Sequence, residues 1–230
     1  MSQRPVSVIV AVRNGERYLG EALTSLLAQS PPPAEVIVVD DGSTDSSRRL
    51  AERFGPPVRV VGQRPAGIGA ARNRGIACAT GELIAFLDAD DLWPAGSLAC
   101  RRRLFDADPS SELVWGMVRH FWSPELDTTT AARLYCPSGT SPAHLAGGAL
   151  IARRAFERVG LFAVDLRMGE FIDWVARARE LEIREETVPD VVLGRRVHGA
   201  NHTLQNRGDL KDLTTVLRRT LERRRHAACS

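Results

Sequence analysis

Apolar and polar positions over the first ninety residues alternate between two rhythms. Val6–Val12, Glu35–Val39, Val58–Val61 and Leu83–Leu87 are short β-rich segments that read as strands, the last of them apolar throughout, as in a strand buried on both faces of a parallel sheet. Between the first two, Asn14–Gln29 carries Tyr18, Leu19, Ala22, Leu23, Leu26 and Leu27 at helical spacing, and Ser30-Pro31-Pro32-Pro33 ends it. Ser43 or Thr44 is placed to cap a second helix running to Phe54, and Ile68–Ala79 reads as a third. Strand and helix alternating in this way predict an α/β fold with a doubly wound, mostly parallel sheet and right-handed crossovers.

After Pro94 the rhythm loosens. Glu112–Val118 reads as a strand. Pro124–Pro142, rich in Thr, Ser and Pro, reads as a loop of the length used for lids and flexible segments. Gly147–Ala152 is a short apolar stretch, Arg153–Val159 a helix stopped by Gly160, Glu170–Leu181 a strong helix, and Val188–Val197 returns to β character. The C-terminal segment carries Leu210, Leu213, Val216, Leu217 and Leu221 on one side of a helix and a basic run from Arg218 to Arg225. That amphipathic spacing predicts packing on the core, with contact to an anionic membrane surface or acidic acceptor as the other reading.

Composition narrows the class. The chain has 230 residues, 43% of them hydrophobic, which suits one large α/β domain. The formal net charge of +3 gives no argument for a nucleic-acid partner. The polar start Met1–Pro5 and the brief Val6–Val12 run do not make a signal peptide, and no apolar stretch is long enough for a transmembrane segment. Cys78, Cys100, Cys136 and Cys229 are scattered without a C-x-x-C pair. They read as reduced thiols of a cytoplasmic protein, not as zinc ligands or a redox couple.

The chemistry is concentrated at the ends of the predicted strands. Phe86-Leu87-Asp88-Ala89-Asp90-Asp91 places three carboxylates at the C-terminal end of strand four, where open α/β sheets bind ligands. Carboxylates this close repel unless a cation neutralises them. Mg²⁺ or Mn²⁺ held by one or two carboxylates and by substrate phosphates is the natural partner; an acidic turn facing water is the plain alternative. Asp40-Asp41-Gly42-Ser43 ends strand two and is expected to expose carboxylates at the same edge, able to accept from a ribose hydroxyl or a base N–H; it also fits a helix-capping turn. In Gly67-Ile68-Gly69-Ala70-Ala71-Arg72-Asn73 the glycines do not match the dinucleotide fingerprint. Arg72 can pair with phosphate or form a structural ion pair with Asp40 or Asp41.

Taken in order, VSVIVAVRN, DDGSTD, GIGAARNRGI, FLDADDLWP, ALIARRAFERVGLF and RRVHGANHT resemble the family-2 glycosyltransferases of the GT-A fold, from Val6 to about Thr203. The resemblance implies a metal-dependent, inverting transfer of a sugar from a nucleoside-diphosphate sugar to an acceptor hydroxyl. It leaves the acceptor open among glycan, lipid-linked, small-molecule and peptide classes. It implies that Val12, Asn14, Asp40, Asp41, Arg72, Asp88 and Ala89 bind the nucleotide sugar and that Asp90, with His198, holds Mn²⁺ or Mg²⁺. The chain then divides into a nucleotide-sugar-binding half (1–111), an acceptor-side and catalytic half of the same domain (112–205) and a C-terminal basic helix (206–230).

One position departs from the pattern. Where many relatives carry Glu-Asp, the Asp being the general base, this chain has Glu170-Phe171. Phe171 cannot accept a proton, so the candidates become Glu170 and Asp173, three apart on one helix face, with Trp174 either core or sugar platform. Loss of the base also fits a nucleotide-sugar-binding module with weak or lost transfer. A sugar nucleotidyltransferase fits less well: it wants a glycine-rich loop after strand one, where Arg13-Asn14-Gly15-Glu16 stands.

Overall fold

The computed structural model describes residues 4–199 and 210–228. Asn201, His202 and Thr203, the tail of the resembling segment, and Cys229 lie outside them. Eight strands form one sheet: β1 (Val6–Val12), β2 (Glu35–Asp40), β3 (Val58–Gly62), β4 (Leu83–Phe86), β5 (Leu113–Trp122), β6 (Thr140–Pro142), β7 (Leu150–Ala152) and β8 (Glu185–Val197). The order is β3-β2-β1-β4-β7-β5-β6, with β8 on β5. β1 to β4 are mutually parallel, β7 runs antiparallel between β4 and β5, β6 is antiparallel to β5, and β8 is parallel to it. The first four strands match the predicted ones to within a residue at each end.

Two apolar cores, one on each face, explain why β4 is apolar throughout. Val8 and Val10 of β1 join Leu19, Leu23 and Leu26 of α1 (Leu19–Leu27) and Leu98 and Phe105 of α4 (Ser97–Ala107). Ile9 points the other way, to Ala71 and Ile76 of α3 (Ile68–Cys78), Phe156 of α6 (Arg153–Val159) and Trp174 of α7 (Glu170–Glu180). Gly75 of α3 lies so close to the sheet that a Cβ there would sit 2.4 Å from Ile9 Cγ2.

Several sequence expectations change. The first helix starts at Leu19, because Gly15–Tyr18 forms a turn whose amides bond the segment ahead of α2 (Ser47–Glu52). Neither Ser43 nor Thr44 caps α2. Ser43 Oγ accepts from Asn14 N (2.9 Å), Thr44 N donates to Asn14 Oδ1 (2.8 Å), and the cap residue is Ser46. Helix α4 was not legible because arginine occupies its inward positions. Arg101 is fully buried, donates to Ser97 O (3.0 Å) and Ala149 O (3.2 Å), and stacks 4.3 Å above the Trp93 ring. Burial pushes its pKa down to about 10. The expected loop 124–142 contains α5 (Thr128–Ala131) and β6.

The C-terminal helix α8 (Leu210–Ala228) forms, and its apolar stripe packs on the rest of the chain only in part, with Leu213 half-buried beside Gly169. Val216 is buried, whereas Leu217 and Leu221 are 59% and 45% exposed. Among the described residues no helix is long and apolar enough to cross a membrane.

Candidate active site

The strand order brings the C-terminal ends of β1, β2, β4 and β8 to one edge of the sheet, and most of the side chains singled out in the sequence collect there. Asp90 and His198 come from opposite halves of the chain, yet His198 Nε2 lies 2.9 Å from Asp90 Oδ2. The His198 side chain is only 8% exposed and that of Asp90 is 31% exposed, so the pair has one open side. Its surroundings were not anticipated. Arg196 Nε donates to the Asp90 carbonyl (3.0 Å) and Nη2 to Glu21 Oε2 of α1 (2.5 Å). The Arg196 guanidinium is sandwiched 4.7 Å from the Tyr18 ring and 4.9 Å from that of Phe121. Tyr18 also lies 4.7 Å from the His198 ring and donates its hydroxyl to Glu125. Arg196 stands in the RRVHGANHT segment with no local pattern to mark it, and Tyr18 falls at ordinary helical spacing.

The third carboxylate of the cluster is structural. Asp91 is 4% exposed and accepts from Arg196 N at 2.9 Å. Burial, followed by repulsion from Asp90 and Asp88, raises its pKa well above the usual carboxylate range.

The acidic turn after β2 is not open to solvent as expected. Asp40 and Asp41 are each 5% exposed. Asp40 Oδ1 accepts from Ser43 N (3.0 Å). Asp41 accepts from Gln63 Nε2 (2.7 Å), Ala66 N (2.8 Å) and Gly67 N (2.9 Å), which uses three of its roughly four acceptor sites. Its role in the chain is therefore to tie β2 to the turn that opens α3, with Gly67 at φ 92°. Asn14, at φ 55°, holds the neighbouring loop. Val12 and Ala89 both approach Gly15, where an added Cβ would lie 2.7 Å and 3.4 Å from their side chains.

Arg72 pairs with neither Asp40 nor Asp41. Its guanidinium, 6% exposed, donates to Glu170 through Nη1 and to Asp88 Oδ1 through Nη2 at 2.7 Å. Asp88 is half-exposed, so the row Glu170–Arg72–Asp88 runs from the interior to the surface. The two base candidates separate here. Glu170 faces this row. Asp173, 3% exposed, one turn further along α7, binds Arg177 Nε (2.9 Å) and Arg223 Nη1 of α8 (3.5 Å) instead. Phe171 is buried among Trp115, Phe162 and Trp174, with ring centroids 5.9–6.3 Å apart. Trp174 is core: it is fully buried and donates to Gly160 O at 2.8 Å.

Residues 7–157 match the family model described as glycosyl transferase family 2. An uncharacterized glycosyltransferase of Nostoc sp. (strain PCC 7120) is 41% identical over 119 residues, 50% of this chain and 36% of that protein. The chain spans about a third of the length of this relative and of a putative glycosyltransferase EpsH of Bacillus subtilis, 40% identical over 117 residues. Among solved structures, the mannosyltransferase PcManGT from Pyrobaculum calidifontis, in complex with GDP-Man and Mn²⁺, superposes with a TM-score of 0.72 at 24% identity, over 96% of this chain and 65% of that one. S. aureus TarS 1–349 in complex with UDP-GlcNAc gives 0.69 at 21%, over 88% and 61%. The fold is thus of the GT-A type.

Proposed function

The chain belongs to the glycosyl transferase family 2, and from that premise we propose that it transfers a sugar from a nucleoside-diphosphate sugar to an acceptor hydroxyl, with inversion and with a divalent cation. The observation that carries the reading is the Asp90–His198 contact across 108 residues of sequence. A carboxylate oxygen and an imidazole nitrogen, buried on one side and open on the other, suit Mn²⁺ somewhat better than the all-oxygen preference of Mg²⁺. Among the described residues no group of three or more His, Cys, Asp or Glu could hold a metal by itself. Donor phosphates would complete the coordination. When bound, the cation offsets the charge that builds on the departing diphosphate.

The remaining residues have roles that follow from their positions. Arg196 holds the Asp90 backbone and the Tyr18 ring in place, so both donors of the pair are pre-oriented. The Asp40–Asp41 turn, Asn14, Val12 and Ala89 form the floor on which the nucleotide lies. Asp88 is the half-exposed member of its row and is available to a ribose hydroxyl. Arg72 can exchange one of its two carboxylates for a donor phosphate. Glu170, released from part of that contact, takes the acceptor proton as the nucleophile approaches the anomeric carbon opposite the diphosphate. Asp173 is committed to Arg177 and Arg223 and takes no part.

Calorimetric titration of UDP and GDP, with and without Mn²⁺, tests the reading. Mn²⁺ is expected to tighten binding of one of them in the parent chain and to have no effect in Asp90→Asn. Equal binding in EDTA would remove the metal from the reading. A second reading, a nucleotide-sugar-binding module without transfer, is favoured by one observation: Phe171 is buried and the carboxylates on either side of it are both ion-paired. Nucleotide binding without release of nucleoside diphosphate from any donor, in the presence of candidate acceptors, would select it.

A further inference from the structure

Helix α8 meets the rest of the chain along one flank. Asp212 Oδ2 accepts from the amides of Arg167 (2.8 Å) and Met168 (3.1 Å). Arg219 pairs with Asp165 (2.5 Å) and Arg223 with Glu180 (2.6 Å), with Val216 buried on the same side. At 3.6 residues per turn, Val216, Arg219 and Arg223 fall within about 60° of one another, and Leu217 and Leu221 are turned at least about 100° away from them. Leu213 joins Val216 beside Gly169 on the packed flank, and the part of the apolar stripe formed by Leu217 and Leu221 points outward, at 59% and 45% exposure. Arg224 borders it on one side, and Arg225, Arg218 and Lys211 on the other, all exposed. Glu222 is the acid nearest this face and approaches Arg218 only to 3.9 Å.

We propose that this outward face of α8 docks flat on an anionic membrane surface. Two leucines bracketed by arginines can enter the headgroup boundary while the guanidinium groups, on long apolar stems, reach lipid phosphates. A second copy would set the same four cations against these four, which opposes self-association through this face. The docking does not depend on the sugar-transfer reading, and its test reads no turnover.

The full chain is sedimented with vesicles of one part phosphatidylglycerol to two parts phosphatidylcholine, and with phosphatidylcholine alone, at low and high salt. It is expected to sediment with the mixed vesicles at low salt only. Arg218→Gln/Arg224→Gln/Arg225→Gln should lower the partition coefficient about a hundredfold, at about fivefold per charge. Leu217→Asn/Leu221→Asn should lower it about tenfold or more. All five side chains are exposed, so circular dichroism should be unchanged. A parent chain that stays in solution with the anionic vesicles overturns the proposal. So does a leucine variant that sediments like the parent, which would reduce the effect to diffuse charge attraction. A dimer in size-exclusion chromatography that the leucine variant dissolves would assign the face to a second copy instead.

Discussion

Replacing Glu170 by Gln separates catalysis from architecture, because the structure gives this carboxylate both tasks. Glu170 is 5% exposed, and Arg72, 6% exposed, has Asp88 as its other charged partner among the described residues. Removing one member of a fully buried ion pair costs about 3–5 kcal/mol. Here Gln still accepts a hydrogen bond and half-exposed Asp88 keeps part of the charge balanced, so the expected loss is nearer the 1.5–3 kcal/mol of a charge-assisted hydrogen bond. For a chain of this size that lowers Tm by roughly 4–10 °C. Loss of the general base costs about 10²–10⁴ in kcat. The two are read on one protein preparation: Tm by calorimetry, and release of nucleoside diphosphate from the donor well below Tm. Nucleotide affinity should hold, since Gln at this position still accepts from Arg72 and keeps its guanidinium in place. Asp173→Asn is the control, expected to lower Tm without lowering kcat. A Glu170→Gln chain that melts early yet turns over at the parental rate refutes the base assignment. One that loses turnover with no change in Tm refutes the energetic account of the row.

Three further outcomes are expected. Asp41→Ala should weaken nucleoside diphosphate binding by about 1.5–3 kcal/mol in calorimetry and also increase amide exchange at Ala66 and Gly67, whose donors it now satisfies; unchanged affinity with faster exchange would leave Asp41 a purely structural role. Gly75→Ala should destabilise by about 1–3 kcal/mol in denaturant titration, because the new methyl would press on Ile9 of β1; an unchanged midpoint would mean that α3 can lift from the sheet freely. Glu35 should steepen acid denaturation. Burial alone would raise its pKa, but hydrogen bonds from Ser7, Thr80 and Arg59 outweigh that and bring it from 4.5 to about 2. A depressed carboxyl stabilises above its unfolded value and loses that contribution as pH falls from about 4.5 toward 2, so Glu35→Gln should flatten the stability profile in that window; an unaltered profile would discount the Ser7–Glu35–Thr80 contacts.

The sequence by itself determined the parallel half of the sheet. Strands buried on both faces are apolar at nearly every position, so β1, β2 and β4 announce themselves without knowledge of their neighbours, while β3, at the sheet edge, is half-exposed and carries Arg59. That Asp88 and Asp90 lie at the C-terminal edge of the parallel strands was equally legible, since strand polarity alone puts the residues after Phe86 there. Tertiary structure decided everything that depends on partners distant in sequence. Arg101 and Arg102 look like surface charge until Ala149 and Trp93 close over the former and Arg4 O accepts from the latter. Asp41 looks exposed until the turn at Ala66 and Gly67 folds onto it. Glu170 and Asp173 share a helix face on paper, yet Arg72 claims one and Arg177 with Arg223 the other. The apolar stripe of α8 looks fit for a core along its whole length, but the flank fixed by the ion pairs of Arg219 and Arg223 packs Leu213 and Val216 and leaves Leu217 and Leu221 exposed. Periodicity reports which residues can be buried together. Which of them are depends on the charges that the rest of the chain brings opposite, and these the local pattern does not encode.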